Sequence, residues 1–216
     1  MQKRPKVFIF LHGYNQCGED MKVIFEGIKD IAPKGSQFLF PNAPFKIPSK
    51  NGYSWYPYVL TDFPPEIQEE IFFQSMQTSM PYIMYYLGKN IDTTLFTFED
   101  MFFIGFSQGA SFALHTGMRM PKKTGGIISF SGGLANPQNR IKNDNINKTD
   151  ICLIHGTKDV VLPHQLSIKA ENELKIDGFN VELHILDGAK HRITADGIKI
   201  ARNFLDNIIN VKFNDC

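Results

Sequence analysis

Met101-Phe102-Phe103-Ile104-Gly105-Phe106-Ser107-Gln108-Gly109 decides how the rest of the chain is read. Its first four residues are a continuous apolar run, the signature of a strand buried on both faces. The last five spell G-x-S-x-G. A helical pattern follows through Met118. Strand, glycine-flanked serine and helix in that order describe a sharp turn that lifts a serine hydroxyl clear of a sheet. The glycines have a steric reason: bulky side chains beside so tight a turn would collide with neighbouring backbone. The bland alternative is a serine in an ordinary tight turn.

Working outward, short apolar runs alternate with longer amphipathic ones. Val7 to Leu11 is a β-rich run that stops at His12-Gly13-Tyr14-Asn15. Glu19 to Ile31 has helical spacing, and Gln37 to Phe40 reads as a second strand closed by Pro41-Asn42-Ala43-Pro44. Phe45 to about Pro65 lacks a period and reads as an ordered loop, either lining a binding surface or simply packed; it holds Trp55, the only tryptophan. Glu66 to Leu87 is a long helix that Pro81 should kink or split. Ile127 to Phe130, Ile151 to Ile154 and Val181 to Leu186 supply further strands. Helices are expected after Pro163 and over Ile193 to Ile209. This alternation implies an α/β fold with a mostly parallel central sheet flanked by helices. The 216 residues, 43% apolar and 21% charged, fit one domain spanning 1–216, with no large cap.

With 23 basic and 22 acidic residues the formal charge is +1, which gives no electrostatic reason to expect nucleic acid as a partner. Cys17, Cys152 and Cys216 are too few and too scattered for a disulfide framework or a cysteine zinc motif, and the six histidines lack metal-ligand spacing. No metal or cofactor is expected. No run approaches the roughly 18 apolar residues a membrane span needs, so stable membrane insertion is not expected and a cytoplasmic location is.

A serine nucleophile requires a base and a group to orient it. After a G-x-S-x-G turn the acid comes next along the chain, then the histidine. Asp159 lies just beyond the strand Ile151 to Ile154, at its carboxyl end, where such sites are built. Asp150 is at the wrong end, while Asp177 and Asp187 are weaker competitors. His12, His115 and His155 precede the acid, His164 adjoins it, and His184 sits within a strand. His191, in the loop Gly188-Ala189-Lys190-His191, can swing over the carboxyl edge and is assigned as base. A tetrahedral oxyanion needs preorganised donors. The N–H of Gln108 and that of Tyr14, after the flexible Gly13, are the candidates. Phe63, Phe72 and Phe73 mark either an acyl groove or core. Cys17 has no strand-to-helix turn around it and is read as packing.

Phe10-Leu11-His12-Gly13, Gly105 to Gly109, His155-Gly156-Thr157-Lys158-Asp159-Val160-Val161-Leu162-Pro163 and Ala189-Lys190-His191 occur in this order. Together with Ser54-Trp55-Tyr56 and Phe130-Ser131-Gly132 they resemble the carboxylesterase/phospholipase family of α/β-hydrolases, which includes the acyl-protein thioesterases. The resemblance spans nearly the whole chain. It implies an α/β-hydrolase fold, with Ser107, Asp159 and His191 as catalytic residues and Tyr14 and Gln108 as oxyanion donors. It further implies a small acyl ester or thioester, or an acylated protein, as substrate, and gives precedent for a homodimer. Tyr14-Asn15-Gln16-Cys17, Ala110 and Ala189-Lys190 depart from the family's usual residues and leave the specificity open. Two other readings stay in play: a non-catalytic ligand-binding protein of this fold, and a serine peptidase.

Overall fold

A computed structural model describes residues 3–48, 51–57, 64–136 and 147–211. Six strands form one sheet: β1 (Val7–Leu11), β2 (Gln37–Leu39), β5 (Met101–Phe106), β6 (Gly126–Phe130), β7 (Ile151–Gly156) and β8 (Val181–Leu186). Their spatial order is β2-β1-β5-β6-β7-β8, and each adjacent pair is parallel. A separate two-stranded antiparallel ribbon joins β3 (Phe45–Lys46) to β4 (Tyr53–Ser54). The helices are α1 (Lys22–Ile28), α2 (Pro65–Asn90), α3 (Gln108–Met118), α4 (Gln165–Ile176) and α5 (Ala195–Val211).

Successive strand residues point to opposite faces, which sorts the core into two layers. Val7, Ile9, Leu11, Phe103 and Leu153 share one cluster with residues of α2, α3 and α4. Phe8, Phe10, Ile104, Ile128 and Ile154 share the other with residues of α1 and α5. Burial on both faces explains why these strands read as unbroken apolar runs rather than alternating ones. Phenylalanines extend across neighbouring strands: the Phe8 ring lies 5.2 Å from Phe38 and 5.4 Å from Phe102.

Chain direction reverses across the sheet between β1 and β5. From β1 the chain steps outward to β2, and from β5 it steps the other way through β6, β7 and β8. The loops after β1 and β5 therefore diverge from one crevice at the carboxyl edge. That crevice is where the serine turn and the Tyr14 loop meet.

Several expectations change in detail. The helix expected over 19–31 begins as a 3₁₀ turn, Gly18–Met21, and its α-helical part ends at Ile28, short of Pro33. Pro81 does not split α2, which runs unbroken as a helix through it. A proline there deprives only the Gln77 carbonyl of its helical donor. Trp55 is fully buried, stacked 5.1 Å from Phe112, so residues 53–56 of the expected loop are anchored in the core. Phe63 and Cys216 fall outside the described residues. No described helix is long and apolar enough to cross a membrane.

His115, on α3, is buried against the Phe73 ring, and neither ring nitrogen has a hydrogen-bond partner among the described residues. Burial first, and the nearby Arg119 charge second, hold its pKa well below the ordinary 6.5. His12 and His155 are lowered as well, chiefly by burial. A depressed histidine leaves the unfolded chain binding more protons than the native one below pH 6.5. Stability must then fall as pH drops from there towards the native pKa, by up to about 1.4 kcal/mol per pH unit per histidine. His115→Leu should flatten this slope, read as unfolding free energy from urea titrations across the acid range. An unchanged slope in a folded variant would show that His115 is not one of the groups responsible.

Candidate active site

Ser107 stands between β5 and α3 with φ 55° and ψ −119°. For a residue with a side chain this is a strained conformation, worth on the order of 1–3 kcal/mol. The surroundings enforce it. A Cβ on Gly109 would lie 2.1 Å from the Leu11 carbonyl oxygen, and one on Gly105 would lie 2.2 Å from the Gly109 oxygen. Both glycines of the motif are thus set by close backbone approach. The Ser107 N–H donates to the Phe130 carbonyl at 2.8 Å, pinning the turn to β6.

Three side chains from three loops converge at the carboxyl edge. His191 Nε2 is 2.8 Å from Ser107 Oγ, and its Nδ1 is 2.6 Å from Asp159 Oδ2. A carboxylate only accepts, so the proton sits on Nδ1 and Nε2 is left to accept from the serine. Asp159 Oδ1 takes the backbone N–H groups of Val161 and Leu162, each at 2.9 Å. Burial alone would raise this carboxyl's pKa. The bonds from His191 and from the Leu162 and Val161 backbone outweigh it and hold the group below its ordinary value. Asp187, weighed as a competitor, accepts instead from the Thr157 hydroxyl at 3.1 Å.

The loops that carry the histidine and the acid are packed on each other. Lys158 N–H donates to Ala189 O at 2.9 Å, and Gly188 N–H donates to Thr157 Oγ1 at 2.8 Å. A Cβ on Gly156 would lie 2.2 Å from the same Ala189 oxygen, so glycine is what lets the two loops close together.

Tyr14, Gln108 and Ser107 share the wall of one cavity of about 530 Å³. Gln108 is the first residue of α3, where N–H groups have no acceptor within the helix. Two details escape the sequence. The Gln108 side chain is a clamp: Oε1 accepts from Trp55 N–H at 2.9 Å, and Nε2 donates to Tyr56 O and Ser54 Oγ, each at 2.9 Å. His12 fixes the base of the Tyr14 loop. Its Nε2 accepts from Ala43 N–H at 3.0 Å, so Nδ1 carries the proton and donates to Gly13 O at 2.8 Å. Nothing in the sequence places Gln108 against the Ser54-Trp55 pair, more than 50 residues earlier in the chain. Nothing in one sequence announces the second.

Phe72, Met76, Leu134, Leu162 and Leu166 make the cavity's apolar wall, while Gln68, Glu69 and Lys169 add polar groups. Phe72 thus belongs to the cavity, whereas Phe73 is core. Among the described residues one group of metal-type donors occurs, Cys152, Glu182 and His184, whose ligand atoms lie within 4.8 Å of one another. It shares no residue with the serine–histidine–aspartate chain.

The sequence pattern of the phospholipase/carboxylesterase family matches residues 1–209. The chain belongs to that family. Among relatives, acyl-protein thioesterase 1 of Saccharomyces cerevisiae is 28% identical over 217 residues, covering 95% of this chain and 93% of the relative. Carboxylesterase SOBER1 of Arabidopsis thaliana is 24% identical, covering 96% and 92%. The crystal structure of esterase PE8 superposes with a TM-score of 0.85 at 31% identity, covering 95% of this chain and 94% of that one. The expected α/β-hydrolase fold is borne out, and the chain is a hydrolase of the esterase/thioesterase class.

The steric reading of the turn has a direct test. Gly109→Ala should destabilise the protein by about 1–3 kcal/mol or more, because backbone must move to admit the methyl group. Denaturant unfolding measures this, and a variant as stable as wild type would show that the approach of Leu11 is not close.

Proposed function

We propose that the protein hydrolyses carboxylic esters and thioesters through an acyl-enzyme formed on Ser107, within one domain that spans the chain. The observation that carries this reading is the continuous hydrogen-bonded chain Ser107–His191–Asp159, at 2.8 and 2.6 Å. Ser107 Oγ attacks the acyl carbonyl while His191 Nε2 takes the hydroxyl proton. The C–O or C–S bond then breaks, and the same proton passes to the leaving alcohol or thiol. Water repeats the sequence on the acyl-enzyme and releases the acid. Asp159 keeps Nδ1 protonated and stabilises the imidazolium. A carboxyl held below its ordinary pKa suits that role, since it stays charged throughout. The backbone N–H groups of Gln108 and Tyr14 receive the oxyanion.

The acyl chain lies against the apolar wall that includes Phe72, Met76 and Leu134. The yeast relative's name, acyl-protein thioesterase, supports acylated proteins as one substrate kind.

A fluorophosphonate probe should label Ser107 and nothing else, and Ser107→Ala should abolish both labelling and turnover while the fold persists. Labelling that survives, or maps to Cys17, overturns the assignment.

Asp159→Asn should lower kcat by on the order of 10²-fold or more, against about 10⁴ for the equivalent exchange in serine proteases. Asp187→Asn should do far less. The reverse ranking, in folded proteins, would move the acid to Asp187.

A further inference from the structure

A second histidine touches the same carboxylate. His155, near the end of β7, has a fully buried side chain, and its Nε2 lies 3.2 Å from Asp159 Oδ2 and 2.8 Å from Leu162 O. Both neighbours only accept, so Nε2 carries the proton. Its Nδ1 is 2.7 Å from Ser167 Oγ, on α4, a hydroxyl that also lies 3.2 Å from Gly132 O. Burial holds the His155 pKa below the ordinary value, in keeping with a neutral ring.

The other donors to Asp159 explain what this contact adds. Val161 and Leu162 N–H lie in the same loop as Asp159, so they fix the carboxylate relative to its own loop. His191 sits in another loop. His155 alone of the four donors stands on a sheet strand, two strands from β5, which ends at Ser107. Through Leu162 O it also ties down the far side of the Asp159 loop.

We propose that His155 is a positioning residue, which references the Asp159 carboxylate to the sheet and so sets the alignment of His191 on Ser107. This rests on the reading of Asp159 as the group that orients His191. Ser167 anchors the ring at Nδ1, so that Nε2 stays directed at Asp159 and Leu162 O. Without that anchor the ring is held from the Nε2 side alone.

The test combines kinetics with NMR of ¹⁵N-histidine-labelled protein. The readout is the strongly deshielded Nδ1 proton expected of His191 bonded to Asp159. His155→Leu should lower kcat about tenfold or more, the scale of one hydrogen bond to a charged group, with KM little changed. The deshielded resonance should broaden or vanish. His155→Gln places an amide N–H the same number of bonds from Cα as Nε2 and should restore both kcat and resonance most of the way. Ser167→Ala should fall between His155→Leu and wild type.

Wild-type kcat and resonance in folded His155→Leu or Ser167→Ala would overturn the proposal. So would His155→Gln as impaired as His155→Leu, which would mark the ring as packing alone. If His155→Leu does not fold, Ser167→Ala and His155→Gln decide. Asp159→Asn separates the two layers of the argument. Near wild-type turnover there would sink the reading of Asp159 itself. A dead Asp159→Asn beside a fully active His155→Leu would sink only the role of His155.

Discussion

At Ser107 three stretches of backbone press together: the end of β5, the first turn of α3 and the end of β1. The distances a Cβ would have, 2.1 Å to Leu11 O and 2.2 Å to Gly109 O, leave room for no side chain at either motif glycine. Everything else at the site presupposes this contact. It forces the serine into its unusual backbone angles, and it sets the first N–H groups of α3 beside the loop that follows β1. The strain is held in place by bonds that do not belong to the turn itself. Ser107 N–H reaches β6, and the Gln108 amide grips residues 54–56. The Trp55 indole in turn donates to His12 O at 2.8 Å. The Ser107 turn, the buried tryptophan segment and the Tyr14 loop are therefore one hydrogen-bonded assembly.

Strain follows the same edge. The described non-glycine residues with positive φ are Asn15, Ser107 and Ser131. Each lies just past the carboxyl end of a strand: β1, β5 or β6. These neighbours in the sheet flank the point where the chain direction reverses. Backbone held in sparsely populated regions persists only where surrounding structure over-determines it. Rigid parallel strands with both faces buried supply that, and the loops beyond them bear the cost.

Much of this could be read from residues alone because it rests on short-range pattern. Apolar runs gave the strands their places, and the glycine spacing around Ser107 gave the turn. Chain order, and which end of a strand each follows, single out Asp159 and His191, the two residues that line up on Ser107. What could not be read depends on long-range side-chain geometry. Trp55 could have been a surface or a core residue, and only its stacking on Phe112 decides between them. Pro81 was a helix breaker by local rule, yet the helix continues through it because one lost donor costs less than losing α2's apolar face. His155 belonged to a recognisable stretch, but its approach to Asp159 from β7 is written in no local pattern.

The histidines show how one side chain serves different ends according to its partners. His12 has a donor for Nε2 and an acceptor for Nδ1, both backbone groups, so its tautomer is fixed and it acts as a structural pin. His155 has a carbonyl and a carboxylate on one nitrogen and a hydroxyl on the other. Among the described residues His115 has no partner on either nitrogen, and it works as an aromatic filler against Phe73. His191 differs from all three. One nitrogen is locked by a carboxylate, and the other meets a hydroxyl that lines the cavity, where an acyl group can come. A ring held at one end and open to the cavity at the other is what the proposed proton transfer requires. Burial alone would pick out His12, His115 and His155 before His191, since those three are the more enclosed. The proposed chemistry is located by the asymmetry of the partners, and that asymmetry exists because loops from β5, β7 and β8 end at the same edge of the sheet.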